Sequence, residues 1–215
     1  MKIIEELKSI QQDMFTQLPA EVLNVMGNSL SEMLTQNLDC HAIKSGDTAP
    51  DFSLVATNNQ KIELYKLLET KPVILSFFRG SWCPFCVKEL EHFNQNLKLI
   101  LDTQDVHFIA ISPQKPDISA QLIQEHNINL TILSDTGNQI AKQYGLVFTL
   151  PEDVRNLYKN LGANLPDFNG DDSYQLPIPA TYIIGQDKKV IFSYINVNYM
   201  ERADTSELIK VLKKD

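Results

Sequence analysis

The segment Phe77-Phe78-Arg79-Gly80-Ser81-Trp82-Cys83-Pro84-Phe85-Cys86-Val87-Lys88-Glu89-Leu90 limits the architecture more than any other stretch of the 215-residue chain. The apolar run ending at Phe78 reads as a buried strand, and the residues after it as a short turn. Pro84 falls where a helix takes its first residue, a position whose amide has no intrahelical partner and whose φ the ring already sets. Cys86, Leu90, Phe93, Leu97 and Leu101 then follow in steps of three and four, one apolar stripe of a helix. Cys83 is therefore expected to cap the helix and point at solvent, with Cys86 turned towards the core.

That placement has a chemical consequence. Free amides and the helix dipole at an amino terminus favour a thiolate over a thiol, so Cys83 is expected to ionise below the ordinary value of about 8.5 and to be the nucleophile at neutral pH. Cys86, one helical turn on, is within disulfide reach and can attack a mixed disulfide or sulfenic acid formed on Cys83. Burial should keep its own pKa high. Arg79, one of three arginines in the chain, stands where a guanidinium can stabilise the thiolate or polarise a substrate oxygen; a solvated surface arginine is the plain alternative. Trp82 is read as packing beside the thiol and restricting access.

Other uses of two cysteines two residues apart fit less well. A structural zinc site needs four ligands, and only Cys40 and four scattered histidines remain. Haem attachment needs histidine directly after the second cysteine, where this chain has Val87. Inert core cysteines would not explain the strand, turn, proline and helix order, which matches a thioredoxin-like redox placement. Cys40 reads as a buried free thiol, and no histidine is assigned a role. A second element is Pro177-Ile178-Pro179-Ala180-Thr181, just before a strand. Proline is tolerated at a strand's start, and a cis bond before Pro179, facing Cys83, is the expectation.

The rest of the chain frames this motif. Ile3, Leu7, Ile10, Met14 and Leu18, then Val22, Met26, Leu30, Met33 or Leu34, and Leu38 repeat at helical spacing, with Pro19 dividing them into two amphipathic helices. This stripe serves either to dock on the main body or to form a homodimer. Residues 1–45 are read as a helical extension and 46–215 as an α/β domain with a mixed central sheet flanked by helices. Strands are expected near 51–56, 72–78, 106–112, 130–134, 180–185 and 190–196, the last two as a hairpin across Gln186 to Lys189. Helices are expected near 63–69, 84–101, 116–127, 138–144 and 204–213. Residues 146–178 read as a long connection with one helix near 152–161.

Composition excludes whole classes of partner. Nineteen basic against 27 acidic residues give a net charge of −8, so neither nucleic acid nor an anionic membrane is an expected partner. The charged, periodic start Met1 to Lys8 lacks the unbroken apolar stretch of about 7–15 residues that an export signal needs. No apolar run approaches the roughly 20 residues of a spanning helix, so a cytoplasmic protein is expected. Three cysteines do not make a secreted disulfide framework. No Gly-rich phosphate loop is present, and neither cofactor nor metal is expected.

Taken together, Pro50-Asp51-Phe52-Ser53-Leu54, the Phe77 to Cys86 run, Ala110-Ile111-Ser112-Pro113-Gln114, Leu133-Ser134-Asp135, Val147 to Pro151, Gly170 to Ser173 and Pro177 to Thr181 resemble the peroxiredoxin-like branch of the alkyl hydroperoxide reductase and thiol-specific antioxidant family. The resemblance implies a thioredoxin-like fold, Cys83 attacking peroxide, Cys86 resolving, and reduction by a thioredoxin-type partner. Two departures stand out. The family's Pro-x-x-x-Thr-x-x-Cys is here Ser76 and Gly80 before Cys83, and its arginine before the later strand is Pro179. Arg79 and Ser81 are the candidates to replace the missing donors. A dithiol-disulfide oxidoreductase using the same cysteines is the alternative, and a zinc-stabilised or redox-inactive binding module the third reading.

Overall fold

The computed structural model describes residues 2–103 and 105–213, without the side chains of Leu97, Lys98, Leu101, Asp102 and Thr103. The stripe positions Leu97 and Leu101 thus lie outside the described side chains. Two helices open the chain, α1 (Ile3–Gln17) and α2 (Ala20–Thr35), with Pro19 as the cap between them. There follow β1 (Ser53–Val55), β2 (Lys61–Glu63), α3 (Leu64–Leu68), β3 (Val73–Phe77), α4 (Pro84–Thr103), β4 (His107–Ser112), α5 (Pro116–His126), β5 (Thr131–Ser134), α6 (Gln139–Gln143), β6 (Val147–Thr149), α7 (Glu152–Asn160), α8 (Leu165–Asn169), β7 (Gln175–Pro177), β8 (Ala180–Ile184), β9 (Val190–Ile195) and α9 (Thr205–Leu212).

The central sheet runs β5-β4-β3-β8-β9, with β3, β4 and β5 parallel and β8 and β9 antiparallel to their neighbours. This is the mixed, thioredoxin-like sheet expected. All of β3 is buried, and its alternation divides the core into two layers. Val73, Leu75 and Phe77 face α3 and α6, packing with Leu64, Leu68, Ile140 and Tyr144. Ile74 and Phe78 share the opposite layer with Leu90 and Phe93 of α4, Leu122 of α5 and Leu208 of α9. The active turn therefore leaves the sheet at its most buried strand.

The amino-terminal stripe is used within the chain. Ile3 and Leu7 are buried in the α4 layer, Ile10, Met14, Met26 and Leu30 pack against it, and α2 also contacts α7. Met33 turns inward while Leu34 stays exposed, which resolves the alternative left by spacing. No helix among the described residues is long and apolar enough to cross a membrane.

Some expectations fail for identifiable reasons. The strand expected at 51–56 shortens to β1 and pairs with β2 in a separate two-stranded sheet. The long connection 146–178 folds more than expected: β6 pairs with β7, α7 and α8 lie between them, and Leu150, Val154, Tyr158, Ala163, Leu165 and Leu176 form their own small core. Strands of three residues are too short to announce themselves by alternation. Cys40 is exposed, not buried; it sits in the turn after α2, where Leu38 and Ala42, not Cys40, pack on the core.

The Ile178–Pro179 bond is trans, since no described peptide bond is cis. The local pairing explains why the expected cis bond does not form. β7 is bonded to β6, Ile178 N–H donates to the Leu146 carbonyl at 2.7 Å, and the Pro179 carbonyl accepts from Asn196 N–H at 3.3 Å. Ala180 then enters the ladder between β3 and β9, so the backbone runs extended through the proline.

Candidate active site

Cys83 is the cap of α4: its carbonyl accepts from both Cys86 N–H and Val87 N–H at 3.0 Å, and Pro84 is the first helical residue. Unlike the expectation, its side chain does not reach solvent. Cys83 is only 2% exposed, because Trp82 and Phe85, with Tyr158 and Tyr199 from later segments, close around it. Cys86 is fully buried, as its place on the inward stripe requires.

Arg79 is not a surface arginine. It is buried, its Nη2 donates to the Tyr158 hydroxyl at 3.0 Å, and its guanidinium lies 4.4 Å from the Tyr199 ring centroid and 4.8 Å from that of Trp82. Aromatic faces are suited to a weakly hydrated guanidinium. Its Nε is a buried donor without an acceptor among the described residues. Burial works against the Arg79 charge, but the Tyr158 hydroxyl and Cys83 more than offset it and raise its pKa above the ordinary value.

A second cation, not foreseen from the sequence, stands behind the resolving cysteine. Arg202, in the connection between β9 and α9, donates from Nη2 to Cys86 Sγ at 3.2 Å and from Nε to Glu89 at 2.7 Å. Its Nη1 holds the carbonyls of Tyr199 and Glu201, both at 2.7 Å. Glu89, on the next turn of α4 after Cys86, is buried. Burial pushes its carboxyl up to about 7; Arg202 opposes this and Cys86 adds to it. No spacing rule links Arg202 to Cys86 across 116 residues. The only sequence signal was the scarcity of arginine and a glutamate three residues beyond Cys86 on the buried side of the stripe.

These charges separate the two thiols. Burial raises the Cys83 thiol, but the hydrogen bond from Cys86 and the guanidinium groups of Arg79 and Arg202 outweigh it and hold Cys83 down to about 6. Cys86 is pushed up, first by burial and then by its bond to Cys83 and the negative charge there. One thiolate and one thiol at neutral pH is the arrangement a nucleophile with a resolving partner needs.

The remaining expected residues occupy different places. Trp82 borders the cavity over Cys83 and packs on Tyr158, centroids 5.4 Å apart. Ser81 lies in an adjoining cavity with Ile118, Gln121, Glu125 and His126, across Trp82, Leu161 and Ala163 from the first, and its N–H donates to Gln114 Oε1 at 2.8 Å. Gln114, buried and anchored to Ser119, thereby fixes the turn. Pro179 is not among the residues lining the Cys83 cavity. Gly80 explains the missing threonine: its φ is +149°, and a Cβ there would stand 2.5 Å from Trp82 Nε1, so only glycine fits.

Fold and site together define a thioredoxin-like protein built around a buried Cys-x-x-Cys pair poised by two arginines. The chain belongs to the AhpC/TSA family, whose profile matches residues 45–193. It is 31% identical over 104 residues to the thiol-disulfide oxidoreductase ResA of Bacillus subtilis, covering 48% of this chain and 56% of that one. With peroxiredoxin Bcp of Escherichia coli the identity is 27% over 104 residues, 48% of this chain and 65% of the relative. The chain thus spans less than two thirds of each of these relatives. Among solved structures, peroxidoxin BcpB from Mycobacterium tuberculosis superposes with a TM-score of 0.62 at 22% identity, covering 80% of this chain and 97% of that one. Peroxiredoxin 6 of Arenicola marina gives 0.62 at 20% identity, over 80% and 72%. These superpositions share the fold.

Proposed function

We propose that the protein is a thiol-dependent peroxidase whose catalytic domain, residues 46–215, carries the helical extension 1–45. The observation that supports this most is a low-pKa thiol, 2% exposed, lining a cavity with a guanidinium whose Nε is unpaired among the described residues. Such a site gives a small hydroperoxide access to the thiol.

The Cys83 thiolate attacks the terminal peroxide oxygen; the O–O bond breaks, and the leaving alkoxide or hydroxide takes a proton, leaving a sulfenic acid on Cys83. Arg79, whose charge acts on Cys83 and whose Nε is unpaired among the described residues, stabilises the charge that moves onto the leaving oxygen. Cys86 then attacks the Cys83 sulfur, the S–O bond breaks, and hydroxide leaves as water with the Cys86 proton. Arg202, 3.2 Å from Cys86 Sγ, stabilises the attacking thiolate. The two thiols lose two electrons and become a disulfide, which a thioredoxin-type dithiol reduces. We place the protein in a reducing, cytoplasmic compartment, supported by its odd cysteine count.

Gly80 in place of a hydroxyl residue and the similarity to a thiol-disulfide oxidoreductase favour one second reading, exchange with protein disulfides. Stopped-flow mixing separates them. Reduced protein is expected to react with hydroperoxide orders of magnitude faster than free cysteine; a rate no faster, with ready reduction of a protein disulfide, would refute the peroxidase.

A further inference from the structure

The cavity over Cys83 is larger and more apolar than the reaction with hydrogen peroxide requires. Its volume is ≈ 270 Å³, whereas hydrogen peroxide needs little more room than two waters, each of roughly 10–15 Å³. Its polar groups gather at the thiol, where Arg79 is bonded to Tyr158. Much of the remaining wall comes from outside the family region: Met14 and Leu18 lie on and just after α1, Met26 lies on α2, and the family profile begins only at residue 45. Leu161, after α7, completes that side.

We propose that the α1–α2 pair is the specificity element of the thiol site, with Met14, Leu18 and Met26 receiving the hydrocarbon substituent of an organic hydroperoxide while its O–O bond lies at Cys83 and Arg79. The inference rests on the peroxidase reading and goes beyond it by assigning the tail's binding wall to the extension. Both helices are fixed against the body of the protein, so the wall they form is preorganised. Ile3 and Leu7 anchor α1 in the α4 layer, and Val25 and Met26 anchor α2 on the small core of the 146–178 connection. Thioether side chains adapt to irregular apolar groups. Each buried methylene of a substrate adds roughly fourfold to binding, so a phenyl or alkyl tail gains an advantage that hydrogen peroxide does not.

The test compares cumene hydroperoxide with hydrogen peroxide by stopped-flow oxidation of the reduced protein, its Met26→Gln and Met14→Gln variants, and the conservative Met26→Leu. The ratio of the two rate constants is expected to fall at least tenfold in each glutamine variant and to be retained in Met26→Leu. A ratio unchanged, or both rates falling equally, overturns the proposal. A binding readout separates this failure from failure of the peroxidase reading: cumyl alcohol is expected to slow alkylation of Cys83 in the parent protein and much less in Met26→Gln. Protection without any hydroperoxide reactivity would overturn the peroxidase and leave tail binding standing. Absence of protection would overturn the proposal whatever the rates.

Discussion

Arg202 Nη2 lies 3.2 Å from Cys86 Sγ, so the resolving thiol has its own cation, distinct from the Arg79 guanidinium packed against Trp82 and Tyr199. The same arginine neutralises Glu89 at 2.7 Å. The two guanidinium groups, delivered by different loops, both act on Cys83, and Arg202 alone is bonded to Cys86.

Removing the second cation should affect resolution most. In Arg202→Met, the sulfenic acid on Cys83 should persist, read as a rise in dimedone adduct, and disulfide formation should slow at least tenfold. The variant also leaves Glu89 buried without its counter-ion, so its carboxyl, already raised to about 7, should rise further and stability should fall most above pH 7, measured by urea denaturation. Pairing it with Glu89→Gln should recover part of that stability without restoring the rate.

Arg79→Met removes the cation beside the nucleophile. The Cys83 pKa should rise from about 6 towards the ordinary thiol value, and the peroxide rate constant at pH 7 should fall at least tenfold. Tyr158→Phe, which removes only the hydroxyl bonded to Arg79, should have a smaller effect in the same direction.

Two buried groups bend the stability curve in opposite senses. Cys83 is lowered from 9.0 to about 6, so the folded state binds fewer protons between those values. Its contribution is complete above pH 9 and lost as pH falls through 6. Glu89 is raised from 4.5 to about 7; its contribution is complete below pH 4.5 and lost as pH rises through 7. Each is worth on the order of 3 kcal/mol. Urea midpoints of the reduced protein should show the rise between pH 6 and 9 vanish in Cys83→Ser, and the fall between 4.5 and 7 vanish in Glu89→Gln.

Restoring the family's threonine should fail. Gly80→Thr places a β-branched residue at φ +149° with its Cβ 2.5 Å from Trp82 Nε1, a strain of roughly 1–3 kcal/mol. Thermal denaturation should show the loss, and peroxide reactivity should fall instead of rising.

What sequence could and could not reveal follows from the range of each interaction. The strand, turn, Pro84 and helix of the active segment are local, and spacing placed Cys83 at the start of α4, Cys86 on it, and the amino-terminal stripe on two helices. The burial of Cys83 was not local: it depends on Tyr158 and Tyr199, each more than seventy residues away, brought over the thiol by the 146–178 connection and the loop after β9. The pairing of Arg202 with Cys86 and Glu89 was missed for the same reason, since Arg202 lies more than a hundred residues from both. The trans bond at Pro179 follows from ladder bonds to Leu146 and Asn196 on either side, which no proline pattern encodes.

The ionisation of Cys83 tests the account most directly. Alkylation of reduced protein by iodoacetamide, followed against pH with the Cys83 peptide resolved from exposed Cys40 by mass spectrometry, should show a midpoint near 6 and a plateau above pH 7. A midpoint at or above the free-thiol value of about 8.5 would mean that Arg79, Arg202 and Cys86 do not hold a thiolate at Cys83, and would contradict the mechanism at its first step.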